Sequence, residues 1–142
     1  MKTIKILIAN LVLIAFNSCL DISHDTRNIK IYNKSNSVVY CFDSDSDSFT
    51  YPYLDYKKSG IEDLNKIKID SFIIYPENPK NWDDYIKSAK NGKVRLFFIS
   101  KDSIDKYGWD KVLKNNIYTK VYKFDILDLK KSNWEITYDN IQ

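Results

Sequence analysis

The first nineteen residues decide how much of this chain is available to fold. Lys2 and Lys5 supply a positive start, and Ile6 to Phe16 form an apolar run interrupted only by Asn10. Asn17 and Ser18 then precede Cys19. The run falls short of the about 20 apolar residues that a helix needs to cross a bilayer core. The order of charge, apolar stretch and small or polar residues is that of a cleaved secretory signal at residues 1–18. Removal of Met1 to Ser18 from the 142 residues leaves 124, enough for one domain with a single modest core.

Cys19 indicates which kind of signal this is. Phe16-Asn17-Ser18-Cys19 resembles the lipobox of bacterial lipoproteins, matching at Ser18 and Cys19 and departing at Phe16 and Asn17. The resemblance implies a lipid on the Cys19 thiol and an acyl group on its new amine. Each buried methylene contributes roughly 0.8 kcal/mol, so two or more chains hold a protein stably where one does not. Acylation of Cys19 leaves Cys41 as the only thiol, and no intramolecular disulfide can form. Loss of Lys2 and Lys5 brings the 22 basic residues to 20 against 19 acidic, a net charge of +1. That balance implies no nucleic-acid partner.

Residues 19–28 are mostly polar, carry the only histidine (His24), and read as a tether. The remainder, 29–142, reads as one domain. Ile29 and Ile31 alternate with Lys30 and Tyr32, turn residues follow at Asn33 to Asn36, and Val38 to Phe42 is β-branched and aromatic. This pattern predicts an opening β-hairpin. Asp43 to Ser48 is expected to be an exposed loop, and Phe49 to Tyr56 an irregular edge strand. Ile67, Ile69 and Phe72 to Tyr75 are strand material. A helix is expected from Pro79 to Lys90, capped by Asn78, with Trp82, Tyr85, Ile86 and Ala89 on its apolar face and Asn91-Gly92 as its left-handed exit. Lying between strands, it offers one parallel crossover.

Val94 to Ile99 predicts a central strand covered on both faces. Ser100 opens a helical region that Gly108 breaks and Asn115-Asn116 ends. Ile117 to Phe124 reads as a strand, Asp125 as the cap of a short helix, and Trp134, Ile136 and Tyr138 as the inward positions of a closing strand. The expected fold is α+β, a mainly antiparallel or mixed sheet with two or three short packed helices. A β-sandwich with helical insertions is the alternative.

Chemistry-bearing motifs are sparse. Asp43, Asp45 and Asp47 are spaced like the first ligands of a calcium loop. Counted from Asp43, however, the glycine and glutamate that an EF-hand requires are Ser48 and Leu54. An EF-hand is excluded, and no metal or cofactor is read from the sequence. His24 stands alone in the tether, and Cys41 lies in an apolar strand without a histidine partner. Asp83 and Asp84 are adjacent on a helix and point apart. No catalytic residues emerge, and the domain is expected not to be an enzyme. Trp82, Trp109 and Trp134 fall on apolar faces and are assigned to the core. Tyr51, Tyr53 and Tyr56, in an irregular segment beside the acidic run, are the candidate binding patch for a protein or glycan partner.

Several stretches carry a wider resemblance: Ile31 to Ser35, Val39-Tyr40, Val94 to Ile99, Asp102 to Trp109, Tyr122 to Phe124, Asp128-Leu129 and Asn133 to Tyr138. Together they resemble a group of small lipoproteins of Bacteroides-like bacteria, over most of the mature chain but not from Asp43 to Ser59. The resemblance implies a cell-envelope location and a general fold, and carries no activity. Asp102-Ser103-Ile104 also resembles a motif that such bacteria O-glycosylate, but Ser103 in the first turn of a helix is the preferred reading. Leu20-Asp21 lacks a dense acidic run resembling a surface-export signal, which favours the periplasmic face of the outer membrane. The expected function is a non-catalytic binding or scaffolding domain, with an immunity- or inhibitor-type role against a toxin or hydrolase as the alternative.

Overall fold

A computed structural model describes residues 28–48, 65–75 and 81–139. The signal, Cys19, His24 and Tyr51, Tyr53 and Tyr56 lie outside the described residues. The fold is α+β, with two separate sheets and four short α-helices among the described residues. Strands β1 (Ile29–Asn33), β4 (Ser71–Tyr75) and β7 (Glu135–Tyr138) form the first sheet in the order β4-β1-β7. Strands β2 (Val39–Ser44), β3 (Lys66–Ile67), β5 (Val94–Ser100) and β6 (Lys120–Phe124) form the second, in the order β3-β2-β5-β6. Helix α1 spans Trp82–Ser88, α2 Lys101–Tyr107, α3 Trp109–Lys114 and α4 Ile126–Lys131.

Period-two alternation places the core. Ile29 and Ile31 of β1 and Tyr138 of β7 face inward, against Val39 and Cys41 of β2 and Val94, Leu96 and Phe98 of β5. Trp82 and Ile86 of α1 and Leu129 of α4 complete this main core. The alternate residues of the second sheet, Tyr40, Phe42, Phe97 and Ile99, face the other way and are covered by Val112, Trp109 and Ile104 from α2 and α3. Every residue of β5 is therefore buried, as the run from Val94 to Ile99, apolar except for Arg95, predicts.

The opening hairpin does not form. β1 is the centre of the first sheet, antiparallel to β4 and parallel to β7, whereas β2 pairs with β3 and β5 in the second. Asn33 makes the change of sheet. Its Nδ2 donates to the Ser37 carbonyl at 2.8 Å and the Ile67 carbonyl at 3.1 Å, and its Oδ1 accepts the Ser35 N–H at 3.0 Å. The turn residues thus serve a corner rather than a two-strand reversal. The expected crossover through the Pro79 helix is not formed: β4 and β5, on either side of α1, belong to different sheets, and among the described residues the one parallel pair joins β1 to β7.

Helix ends follow local chemistry, with one displacement. α1 is capped by Asn81, whose Oδ1 accepts the Asp84 N–H at 2.8 Å, rather than by Asn78, which with Pro79 lies outside the described residues. Asn91 and Gly92 take the expected positive φ, of 59° and 62°. Ser100 caps α2 and Asp125 caps α4 through a reciprocal box with Asp128. Gly108 divides α2 from α3 at φ 75°, ψ 152°, a region that L side chains rarely enter. β6 begins at Lys120 and β7 at Glu135, each later than expected. Trp134 stays buried but with φ 63°, because its N–H closes α4 on the Leu129 carbonyl at 2.8 Å.

Candidate functional site

Only the second half of the acidic run forms the exposed loop expected of it, with Asp45 and Asp47 exposed in a bend. Asp43 and Ser44 belong to β2, and Ser44 is buried. Asp43 lies between the sheets: Tyr75 donates its hydroxyl to Oδ1 at 2.7 Å, and Tyr85 donates to Oδ2 at 2.6 Å. One carboxylate thereby ties β2 to β4 and α1. Burial first, and the Asp43 charge second, push both tyrosine hydroxyls well above their usual range. They remain protonated donors, unsuited to proton abstraction near neutrality.

Asp47 turns to a different set of partners. Its Oδ1 accepts from Arg95 Nη2 at 2.8 Å and Nε at 3.1 Å, and its Oδ2 from Lys90 Nζ at 2.6 Å. Lys123 approaches Oδ1 at 3.4 Å. The Arg95 side chain is only 3 % exposed, and its Nη1 donates to the Lys90 carbonyl at 3.1 Å. The carboxylates of Asp43 and Asp47 thus diverge and are already hydrogen-bonded. Among the described residues, no group of three or more His, Cys, Asp or Glu is placed to hold a metal.

Asp47 also predicts a pH dependence. Its hydrogen bond to Lys90, and then those to Arg95, hold its carboxyl far below the ordinary value of 3.8. A depressed folded pKa contributes stability that is complete above the unfolded pKa and is lost as pH falls through the folded value. Asp47→Asn should therefore lower the urea midpoint at pH 7. The gap between parent and variant should narrow progressively once the pH falls below about 4. A gap that is constant across this range would rule out the ion-pair account.

Other residues singled out in the sequence have structural surroundings. Cys41 is fully buried in β2, and burial pushes its thiol well up, the opposite of an activated nucleophile. Asp83 and Asp84 share the first turn of α1, and Asp84 accepts from the Asn81 side chain at 3.2 Å. Ser103 lies in the first turn of α2, its hydroxyl 2.9 Å from that of Ser100. Trp82 and Trp134 are core residues as expected, and Trp109 packs edge-on against Tyr40 with ring centroids 5.0 Å apart.

A concave surface arises where Gly108 turns α2 into α3. Ile104, Tyr107, Gly108, Trp109, Asp110 and Lys111 line a groove of about 360 Å³. Trp109 forms part of its wall while also packing on the second sheet, so this wall is rigid. Tyr107 projects from the helix end, with the ammonium groups of Lys106 and Lys111 at 5.0 and 5.5 Å from its ring centroid. The lining is therefore partly aromatic and aliphatic (Ile104, Tyr107 and Trp109) and partly charged (Asp110 and Lys111). Sequence patterning placed a helical region here, broken at Gly108. It did not find the groove, which depends on the angle between two helices. The Tyr107-Gly108-Trp109 triplet is its one local signal. The chain matches no protein-family model, no curated protein and no solved structure.

Proposed function

We propose that this chain is a cell-envelope lipoprotein, held through lipid on Cys19 at the periplasmic face of the outer membrane, whose domain binds a protein partner without catalysis. The groove between α2 and α3 carries this reading. Aromatic contact area beside charged groups is the composition of a protein-binding hot spot. A sugar ring would need a free aromatic face for stacking, whereas two lysine ammonium groups already approach the Tyr107 ring. The non-catalytic part of the reading is supported by the structural partners of these groups: Asp43 ties the second sheet to β4 and α1 through Tyr75 and Tyr85, Asp47 pairs with Arg95 beside the second sheet, and Cys41 is buried in the core.

The resemblance to small lipoproteins of Bacteroides-like bacteria supports the location. A photo-crosslinking residue at Lys111 in intact cells should trap one discrete protein adduct, and Tyr107→Ser should reduce it by about tenfold or more. The same residue at Lys131, on α4, is the control. Equal adducts at both positions, or an adduct at Lys111 indifferent to Tyr107, would contradict the assignment. A trapped partner that is a toxin or hydrolase, inhibited by this chain, would turn the binding role into the inhibitory one.

A further inference from the structure

The first sheet has an outer face that nothing in the described residues covers. The register sets Ile74 beside Lys30 and Phe72 beside Tyr32, all pointing away from the core. Ile74 is 60 % and Phe72 48 % exposed. Tyr32 and Phe72 have ring centroids 5.6 Å apart, and the Lys30 ammonium lies 4.7 and 4.3 Å from the two centroids. Glu135 of β7 is the carboxylate on this face, and its Oε1 accepts the Tyr32 hydroxyl at 3.2 Å. Exposed aromatic and aliphatic groups beside an amine on a flexible stem suit the boundary between acyl chains and headgroups.

We infer that this face rests on the phospholipid surface to which the chain is anchored. The inference builds on the reading of Cys19 as lipidated. The position of the chain's start selects a lipid surface over a second copy. Asn28 leads directly into β1, the central strand of this sheet, and nine residues, Leu20 to Asn28, separate that strand from Cys19. Their full reach is roughly 30 Å, while a five-residue strand such as β1 is about 17 Å long. The whole face thus lies within the range the lipid allows. The opposite side of the domain, with α2, α3 and their groove, would then point away from the membrane toward a partner.

The test uses the full lipidated chain in vesicles of phosphatidylethanolamine and phosphatidylglycerol. A polarity-sensitive fluorophore is attached through Ile74→Cys, or in a second variant through Phe72→Cys. Lys106→Cys on α2 is the control, and Cys41 is buried and unlabelled in the folded protein. Emission at 74 and 72 should shift to the blue and be quenched about twofold or more by lipids carrying a shallow nitroxide, with emission at 106 unaffected. Equal quenching at 74 and 106, or none at either, in protein that floats with the vesicles would overturn the docked face and leave the lipid anchor standing. A blue shift that ignores the quencher and grows with protein density would assign the face to a second copy, and also overturn it. Protein that fails to float would remove the lipid anchor, and the docked face with it.

Discussion

Phe98→Ala is expected to destabilise the domain by about 3–5 kcal/mol, the range for truncating a fully buried phenylalanine. Phe98 is fully buried on β5 of the second sheet, and its ring stacks on Tyr138 of β7 in the first, with centroids 4.8 Å apart and planes 17° from parallel. Tyr122 of β6 meets the same ring edge-on at 5.5 Å. The side chain therefore joins the two sheets at the centre of the main core, and its loss leaves a cavity with strand backbones on both sides. Domains of this size are commonly stable by only about 5–15 kcal/mol, so the change takes a large share. Urea unfolding followed by tryptophan fluorescence should show the midpoint falling by at least about 1 M. Leu127→Ala, at a position 62 % exposed on α4, should stay within about 0.5 kcal/mol of the parent. Similar midpoints for Phe98→Ala and the parent would mean that the two sheets do not meet through this ring.

Features encoded by neighbours in sequence were legible. The run from Val94 to Ile99 has no polar residue except Arg95, and only a strand covered on both faces accommodates it; Arg95 tolerates burial because Asp47 and backbone carbonyls receive its N–H groups. Ser100, Gly108 and Asp125 mark helix ends because a cap or a positive φ is a demand on one residue. The change of cap from Asn78 to Asn81 has the same origin: two asparagines three apart offer the same side chain, and the Asp84 N–H pairs with the nearer one.

Pairing partners were not legible. Ile29 to Phe42 reads as a hairpin because strand, turn residues and strand follow in order. Yet β1 is enclosed by β4 and β7, and β7 comes from the far end of the chain. Asn33 can serve a hairpin turn or a corner, and the Ile67 carbonyl that decides between them lies 34 positions away. Asp43 was assigned to solvent for a similar reason, since its two tyrosine partners come from β4 and α1. For the candidate site, the proposal for Cys19 rests on a linear string, which a sequence carries by itself. The groove at Tyr107 to Lys111 required the angle between α2 and α3, which no periodicity specifies.

Cys19→Ser should produce the largest change of all, since it moves the whole protein. Each acyl methylene buried in a bilayer contributes roughly 0.8 kcal/mol, so loss of two or more chains removes the means of staying on a membrane. The exposed face of Tyr32, Phe72 and Ile74 would retain only weak, reversible contact, because its burial relies on the lipid to keep it close. The direct measurement is fractionation of cells fed a clickable fatty acid, comparing the parent chain with Cys19→Ser. The parent should sediment with membranes and carry the label, and the variant should be soluble and unlabelled. Membrane partition and labelling that are unchanged in Cys19→Ser would contradict the account.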